Sequence, residues 1–183
     1  MIKNETQTLY RKAIKFAADK HLEKEQKVPG TDLPYVVHLS NVAMEILIAS
    51  AHTDDFDTGF AVQVALLHDT LEDTSATFDE LTNIFGTEIA NAVSALTKNE
   101  SLQKEDQMED SLQRIKKLQA EVWAVKLADR ITNLQLPPPH WDKEKKLNYK
   151  NEARTILNEL QDGNDFLAGR LNDSIEEYEE FCE

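Results

Sequence analysis

Residues Leu66 to Thr74 read LLHDTLEDT, so that one histidine, two aspartates and a glutamate follow directly on the apolar lead FAVQVALL from Phe60 to Leu67. On a helix, residues four apart share a face, which puts His68 beneath Glu72 and Asp69 beneath Asp73. Two ionisable pairs then point the same general way. Buried without partners, such groups are costly, so they must be solvated, paired with cations or coordinating a metal. An acidic helix end protruding into water is the plain alternative, and the apolar lead argues against it.

Outward from this stretch the chain reads as all-helical. It has five glycines in 183 residues, few β-branched runs and repeated apolar spacing near 3.6, and nowhere does it alternate strictly enough for a sheet. TLYRKAIKFAADKHLEKE places Leu9, Ala13, Phe16, Ala17 and His21 on one face, and QKVPGTDLP breaks that helix. Further helices are expected from about Tyr35 to Ala51, from about Thr58 through the opening motif, over Glu88–Leu96, roughly Lys104–Leu118, and Glu121–Leu134. Thr77 and Glu80 have capping-box spacing, with Gly86 as the stop. Prolines 137–139 end one helix firmly, and two amphipathic segments separated at Gly163 complete the chain. A single domain over 1–183 is expected.

Charge narrows the partners. Thirty-four acidic against 20 basic residues give a net charge of −14, which disfavours attraction to nucleic acid or an anionic membrane. A small anionic substrate needs only a local positive focus, and in an acidic chain a divalent cation supplies it. The lone Cys182 has no partner within the chain, and no uncharged apolar run approaches the roughly 20 residues that span a bilayer. The start, MIKNETQTLYRKAIKF, lacks a signal-peptide pattern, so a soluble cytoplasmic protein is expected.

Two further segments bear on the opening motif. LPYVVHLSNVA carries His38 inside an apolar helix, and AVKLADRITNL carries Asp129 with Lys126, Arg130 and Asn133 at helical spacings. Taken singly, His38 suits a satisfied core histidine, and Asp129 suits an ion pair along its own helix. Taken with His68 and Asp69 they supply two imidazoles and two carboxylates, a set suited to a hydrolytic Mn, Fe or Zn site.

In this pattern, H…HD…D, the chain resembles the HD-domain phosphohydrolases. It is most similar to the hydrolase domains of RelA/SpoT homologues and the stand-alone small alarmone hydrolases. HDTLEDT matches their HDTxEDT, KLADRITNL their KLADRxxNL, and GTDLPYVVHLSNVA their GxPYxxHPxxVA. The resemblance runs from about Ala13 to Leu160, leaving 161–183 as a helical extension. It implies a compact helical bundle, usually holding Mn²⁺, that removes pyrophosphate from the 3′ position of guanosine tetra- or pentaphosphate.

The resemblance also implies roles. His38, His68, Asp69 and Asp129 would be metal ligands, and Glu72 and Asp73 would position or deprotonate the attacking water. Asn133, Lys24, Lys27, Tyr149 and Lys145 would contact the nucleotide, while Lys126 and Arg130 brace the site or pair with acids. Tyr149 is read either as a stacking partner for a base or as a packing aromatic.

Departures from the family concern charge. Glu25 and Gln26 stand where arginines are common, Glu100 replaces a basic residue, and QMED, with Glu109, lies where a basic stretch is usual. Leu39 replaces a proline after the first ligand. Other readings thus stay open: an HD nucleotidase acting on a deoxynucleotide or NADPH, or a non-catalytic nucleotide sensor. His21, His52 and His140 lack partners at ligand spacing, Trp123 reads as core, and Trp141 reads as packing after the prolines. The acidic end DSIEEYEEFCE reads as a solvated face, or as a dock for a second subunit in a homo-oligomer.

Overall fold

The computed structural model describes residues 5–183; residues 1–4, with which the expected domain begins, lie outside the described residues. The helices run α1 Glu5–Glu23, α2 Val36–Ser50, α3 Thr58–Leu67, α4 Thr70–Asp73, α5 Phe78–Phe85, α6 Thr87–Leu96, α7 Gln107–Ile115, α8 Ala120–Asn133, α9 Lys143–Leu160 and α10 Asp165–Tyr178. Among the described residues β pairing is limited to one isolated bridge, Lys27 with Pro34. The all-α expectation holds. No helix among these residues is long and apolar enough to cross a membrane.

Helix α3 is the hub. Every residue from Phe60 to Leu67 is buried, and the helix packs on α1, α2, α6 and α8. A helix that is apolar all round belongs in the middle of a bundle. Small residues on the surrounding helices, Ala13 and Ala17 on α1 and Ala43 on α2, are fully buried and suit close approach. Helix α8 forms the second inner layer through Val122, Val125, Leu127 and Ala128, packing on α2, α3, α9 and α10. Outside, α2 is tied to α10 by Arg170, whose guanidinium meets both Glu45 oxygens at 2.9 and 2.6 Å.

The opening motif does not lie on one continuous helix. Helix α3 stops at Leu67, a turn covers His68 and Asp69, and α4 restarts at Thr70. The cause is local competition for backbone carbonyls. His68 Nδ1 meets Ala65 O at 2.7 Å and Thr70 Oγ1 donates to Leu67 O at 2.7 Å. One i→i−4 bond survives across the turn, Asp73 N to Asp69 O at 2.9 Å. Glu72 and Asp73 therefore still follow one turn after the ligand pair, on a bent path.

Three other expectations change. Helix α7 is shorter than Lys104–Leu118, because Leu118 N bonds to Ile115 O at 2.9 Å in a tight turn that leads into α8. The capping box at Thr77 is half made: Thr77 Oγ1 accepts from Glu80 N at 3.2 Å, while the Glu80 carboxylate turns to Lys20 at 3.0 Å. Trp123 is half-buried, not core, and its indole N–H donates to Leu118 O at 3.0 Å.

Gly163, in the turn between α9 and α10, sits where an added Cβ would come within 2.5 Å of Trp123 Cβ. Gly163→Ala is accordingly expected to destabilise the fold by about 1–3 kcal/mol, the usual cost of overpacking, read as a lower urea midpoint at unchanged slope. An unchanged midpoint would show that Trp123 yields freely.

Candidate metal centre and the cleft beside it

Three inner helices deliver four side chains to one point. His38 comes from the first turn of α2, His68 and Asp69 from the break after α3, and Asp129 from α8. His38 and His68 are 5% and 3% exposed, so neither ring is solvated. His68 Nε2 lies 2.9 Å from Asp69 Oδ2 and 3.5 Å from Asp129 Oδ1. His38 Nε2 lies 3.7 and 3.4 Å from the same two oxygens. Ligand atoms of His38, His68 and Asp69 fall within 4.8 Å of one another; Asp129 is not part of that mutual set and reaches the group through the two imidazoles.

Hydrogen-bond logic orients both rings. Asp129 O and Ala65 O can only accept. Ala65 O takes the Nδ1 proton of His68, and Thr132 Oγ1 spends its own proton on Asp129 O, leaving it to accept from His38 Nδ1 at 3.4 Å. Each Nε2 is then left with its lone pair facing inward, and neither has a hydrogen bond of acceptable geometry despite being buried. Buried acceptors without donors, next to carboxylates, call for a cation. The donor set therefore fits a divalent metal, for which Nε2 ligation with Nδ1 held by the protein is the usual arrangement.

Burial and the neighbouring carboxylates together set the charge at this centre. Burial opposes charge on His68, but Asp69 and Asp129 outweigh it and hold its pKa well above the ordinary value. Burial likewise opposes charge on Asp129, yet Lys126 and the two imidazoles hold its carboxyl well below the usual range. Asp69 is also held low, with burial outweighed by His68. A proton and a metal ion compete for one lone pair, so uptake of the ion releases the proton.

Neighbouring side chains brace the ligands. Lys126 Nζ lies 3.1 Å from Asp129 Oδ2, and Asn133 Nδ2 donates to Asp129 Oδ1 at 2.6 Å. Tyr35 Oη donates to Asp69 Oδ2 at 2.5 Å. Burial first, then Asp69, pushes the Tyr35 phenol far above its ordinary pKa, so it stays a donor.

A cleft of about 630 Å³ opens beside the centre, within the range of small-molecule sites. Its wall includes Tyr35, Asp69, Glu72, Asp73, Lys98, Lys104, Lys126, Asp129, Arg130, Asn133, Tyr149 and Glu152. Five carboxylates there face four cations, so the cleft is not positive until a divalent ion joins it. Glu72 is fully engaged: Oε1 takes Lys98 Nζ at 2.6 Å and Oε2 takes the Lys98 backbone N–H at 3.0 Å. Among the described residues, the Asp73 carboxylate accepts from the neutral Gln26 amide alone, at 2.9 Å on Oδ2. Burial raises the Asp73 pKa, the Gln26 hydrogen bond partly offsets it, and Asp69 and Glu72 raise it further.

The expected nucleotide contacts divide. Tyr149 and Asn133 line the cleft, with the Arg130 guanidinium 4.4 Å from the Tyr149 ring centre and 3.6 Å from Glu152. Lys24 and Lys27 do not line it; Lys27 is exposed and pairs with Asp32 at 2.7 Å. Lys145 also lies off the wall, 4.6 Å from the Trp141 ring centre. The acidic replacements are displaced too. Neither Glu100 nor Glu109 is on this wall, whereas Lys98 and Lys104 are.

The HD domain family matches residues 13–173. The chain belongs to the HD-domain family. The match passes residue 160 and takes in the first part of α10. The guanosine-3′,5′-bis(diphosphate) 3′-pyrophosphohydrolase MESH1 of Danio rerio is 31% identical over 163 residues, 86% of this chain and 87% of the relative. Its Drosophila melanogaster counterpart is 28% identical over 168 residues, 90% and 91% of the two chains. A solved structure described as a metazoan ortholog of SpoT that hydrolyzes ppGpp matches with a TM-score of 0.78 at 27% identity, covering 92% of this chain and 94% of that one.

Sequence reasoning missed several residues that touch the HD ligands or their acids. Tyr35 is one. It lies inside the quoted LPYVVH segment, three residues before His38, and that short spacing was the available signal. His21, which has no partner at ligand spacing, is buried, stacks on Tyr35 at 4.7 Å between ring centres and meets Gln26 at 2.5 Å. That partner sits across a loop, where helical spacing carries no information. His52 stacks on Phe166, and Trp141 packs on Tyr149 as expected.

Tyr35→Phe removes the hydroxyl that donates to Asp69 Oδ2. Affinity for the divalent ion is expected to fall roughly 10- to 100-fold, as for other outer partners of metal ligands, measured by competition with a chelating dye. Unchanged affinity would mean that Asp69 is held by His68 alone.

Proposed function

We propose that this HD-domain protein is a metal-dependent guanosine-3′,5′-bis(diphosphate) 3′-pyrophosphohydrolase that converts guanosine tetra- or pentaphosphate and water to GDP or GTP and pyrophosphate. The observation that carries this reading is the pair of buried, inward-facing Nε2 lone pairs of His38 and His68 between Asp69 and Asp129. Relatives named for that activity align over 80% or more of the chain, which supports the choice of substrate. We take the chain to act as one cytoplasmic hydrolase domain, with Mn²⁺ as the working ion.

In this reading His38, His68, Asp69 and Asp129 hold the ion. Bound there, it supplies a Lewis acid that polarises a phosphoryl oxygen and eases loss of a proton from water. Asp73 is the base. One of its oxygens is free of donors among the described residues, and burial raises its pKa, as suits a group that takes up a proton. Water attacks the phosphorus attached to the 3′ oxygen and Asp73 takes the water's proton, while the P–O bond to the sugar breaks and the departing 3′ oxygen takes a proton from solvent to become the 3′ hydroxyl of GDP or GTP. Glu72, with both oxygens occupied by Lys98, anchors the segment after α6 and does not accept the proton. Lys104 enters no ion pair among the described residues and faces the cleft, where it is positioned for a substrate phosphate. Tyr149 is positioned to stack on the base.

Protein loaded with Mn²⁺ is expected to release pyrophosphate, not orthophosphate, from guanosine tetraphosphate, with products separated by chromatography; Asp69→Ala abolishes release. Orthophosphate as the product, or intact substrate after long incubation, would reject the substrate assignment. Asp73→Asn should lower kcat by about 10²- to 10⁴-fold, the range for loss of a general base, and Glu72→Gln by less. The reverse order would exchange their roles.

A further inference from the structure

The loop from α1 to α2 brings Gln26 against the acidic motif. His21 Nδ1 lies 2.5 Å from Gln26 Oε1, and Gln26 Nε2 lies 2.9 Å from Asp73 Oδ2. The direction of both bonds follows from what each group can do. An ionised Asp73 only accepts, so the amide NH₂ must face it; the amide oxygen then faces His21, which must carry its proton on Nδ1.

Residue 26 is held on every side. Its backbone N–H donates to His21 O and its carbonyl accepts from Tyr35 N, each at 3.1 Å. His21 is 2% exposed and its ring is stacked on Tyr35, which in turn donates to Asp69. One connected set, His21, Gln26 and Tyr35, thus touches Asp69 and Asp73.

We propose that Gln26 is a positioning residue that fixes the Asp73 carboxylate through Oδ2, with His21 locking the orientation of the Gln26 amide. The proposal rests on the reading of Asp73 as the base. A neutral amide suits this task, because it sets the direction of one oxygen without placing a cation against a group that must take up a proton. Asp73 Oδ1 is left without a donor among the described residues, free to face the attacking water.

Two variants test it. Gln26→Met keeps the length and removes both polar ends, while Gln26→Glu keeps an acceptor for His21 and cannot donate to Asp73. Each should lower kcat by roughly 10-fold or more, in the range of lost supporting contacts, with KM within about twofold and bound metal unchanged. A kcat equal to that of the parent, or a rise in KM alone, overturns the proposal; the second result would make Gln26 a substrate contact. Crystals of the Gln26→Met protein separate this from the choice of substrate. Positioning requires the Asp73 carboxylate to leave its parental orientation, and an unmoved carboxylate overturns the proposal whatever the enzyme hydrolyses.

Discussion

The structure turns on two imidazole lone pairs that face each other inside a bundle. His38 and His68 spend their Nδ1 protons on protein oxygens and are left with buried Nε2 acceptors between two carboxylates. In a medium of low polarity such an arrangement is held together either by a proton shared with Asp69 or by a multivalent cation. The first makes His68 basic, and the second makes a hydrolytic centre. Much of the surrounding structure serves to keep these four groups from relaxing apart: Lys126 and Asn133 on Asp129, Tyr35 on Asp69, and the apolar jacket of α2, α3 and α8.

The fold and the site share one local event. Helix α3 is apolar on all sides and would carry its polar continuation out of the core if it ran straight on. By donating their own protons to Ala65 O and Leu67 O, His68 and Thr70 end the helix while the chain is still buried. The motif then turns across the end of the hub, which sets Glu72 against Lys98 and Asp73 against Gln26. The acidic pair, equivalent by sequence, becomes two unlike groups. One is paired with the Lys98 ammonium, and the other with the neutral Gln26 amide.

How much of this could be read from the chain depended on distance along it. All-helical architecture followed from apolar spacing, whereas His38, His68, Asp69 and Asp129 stand out only as a set, through the H…HD…D pattern, because singly His38 suits a core histidine and Asp129 an ion pair along its helix. The helix break at His68 was hidden, since a histidine and a threonine that bond backwards look like ordinary helical residues in sequence. Contacts across loops were hidden for a different reason: His21 to Gln26, Gln26 to Asp73 and Tyr35 to Asp69 depend on how the segment between α1 and α2 folds back. Glu100 and Glu109, which replace basic residues in the sequence pattern, are absent from the cleft wall that carries Lys98 and Lys104.

Whether these four side chains grip one divalent ion can be read from anomalous diffraction at the manganese edge, on crystals grown with Mn²⁺. A single strong peak is expected about 2 Å from both Nε2 atoms and beside carboxylate oxygens of Asp69 and Asp129. A map with no peak there, or with manganese only on surface acids while the two imidazoles stay unligated, would contradict it.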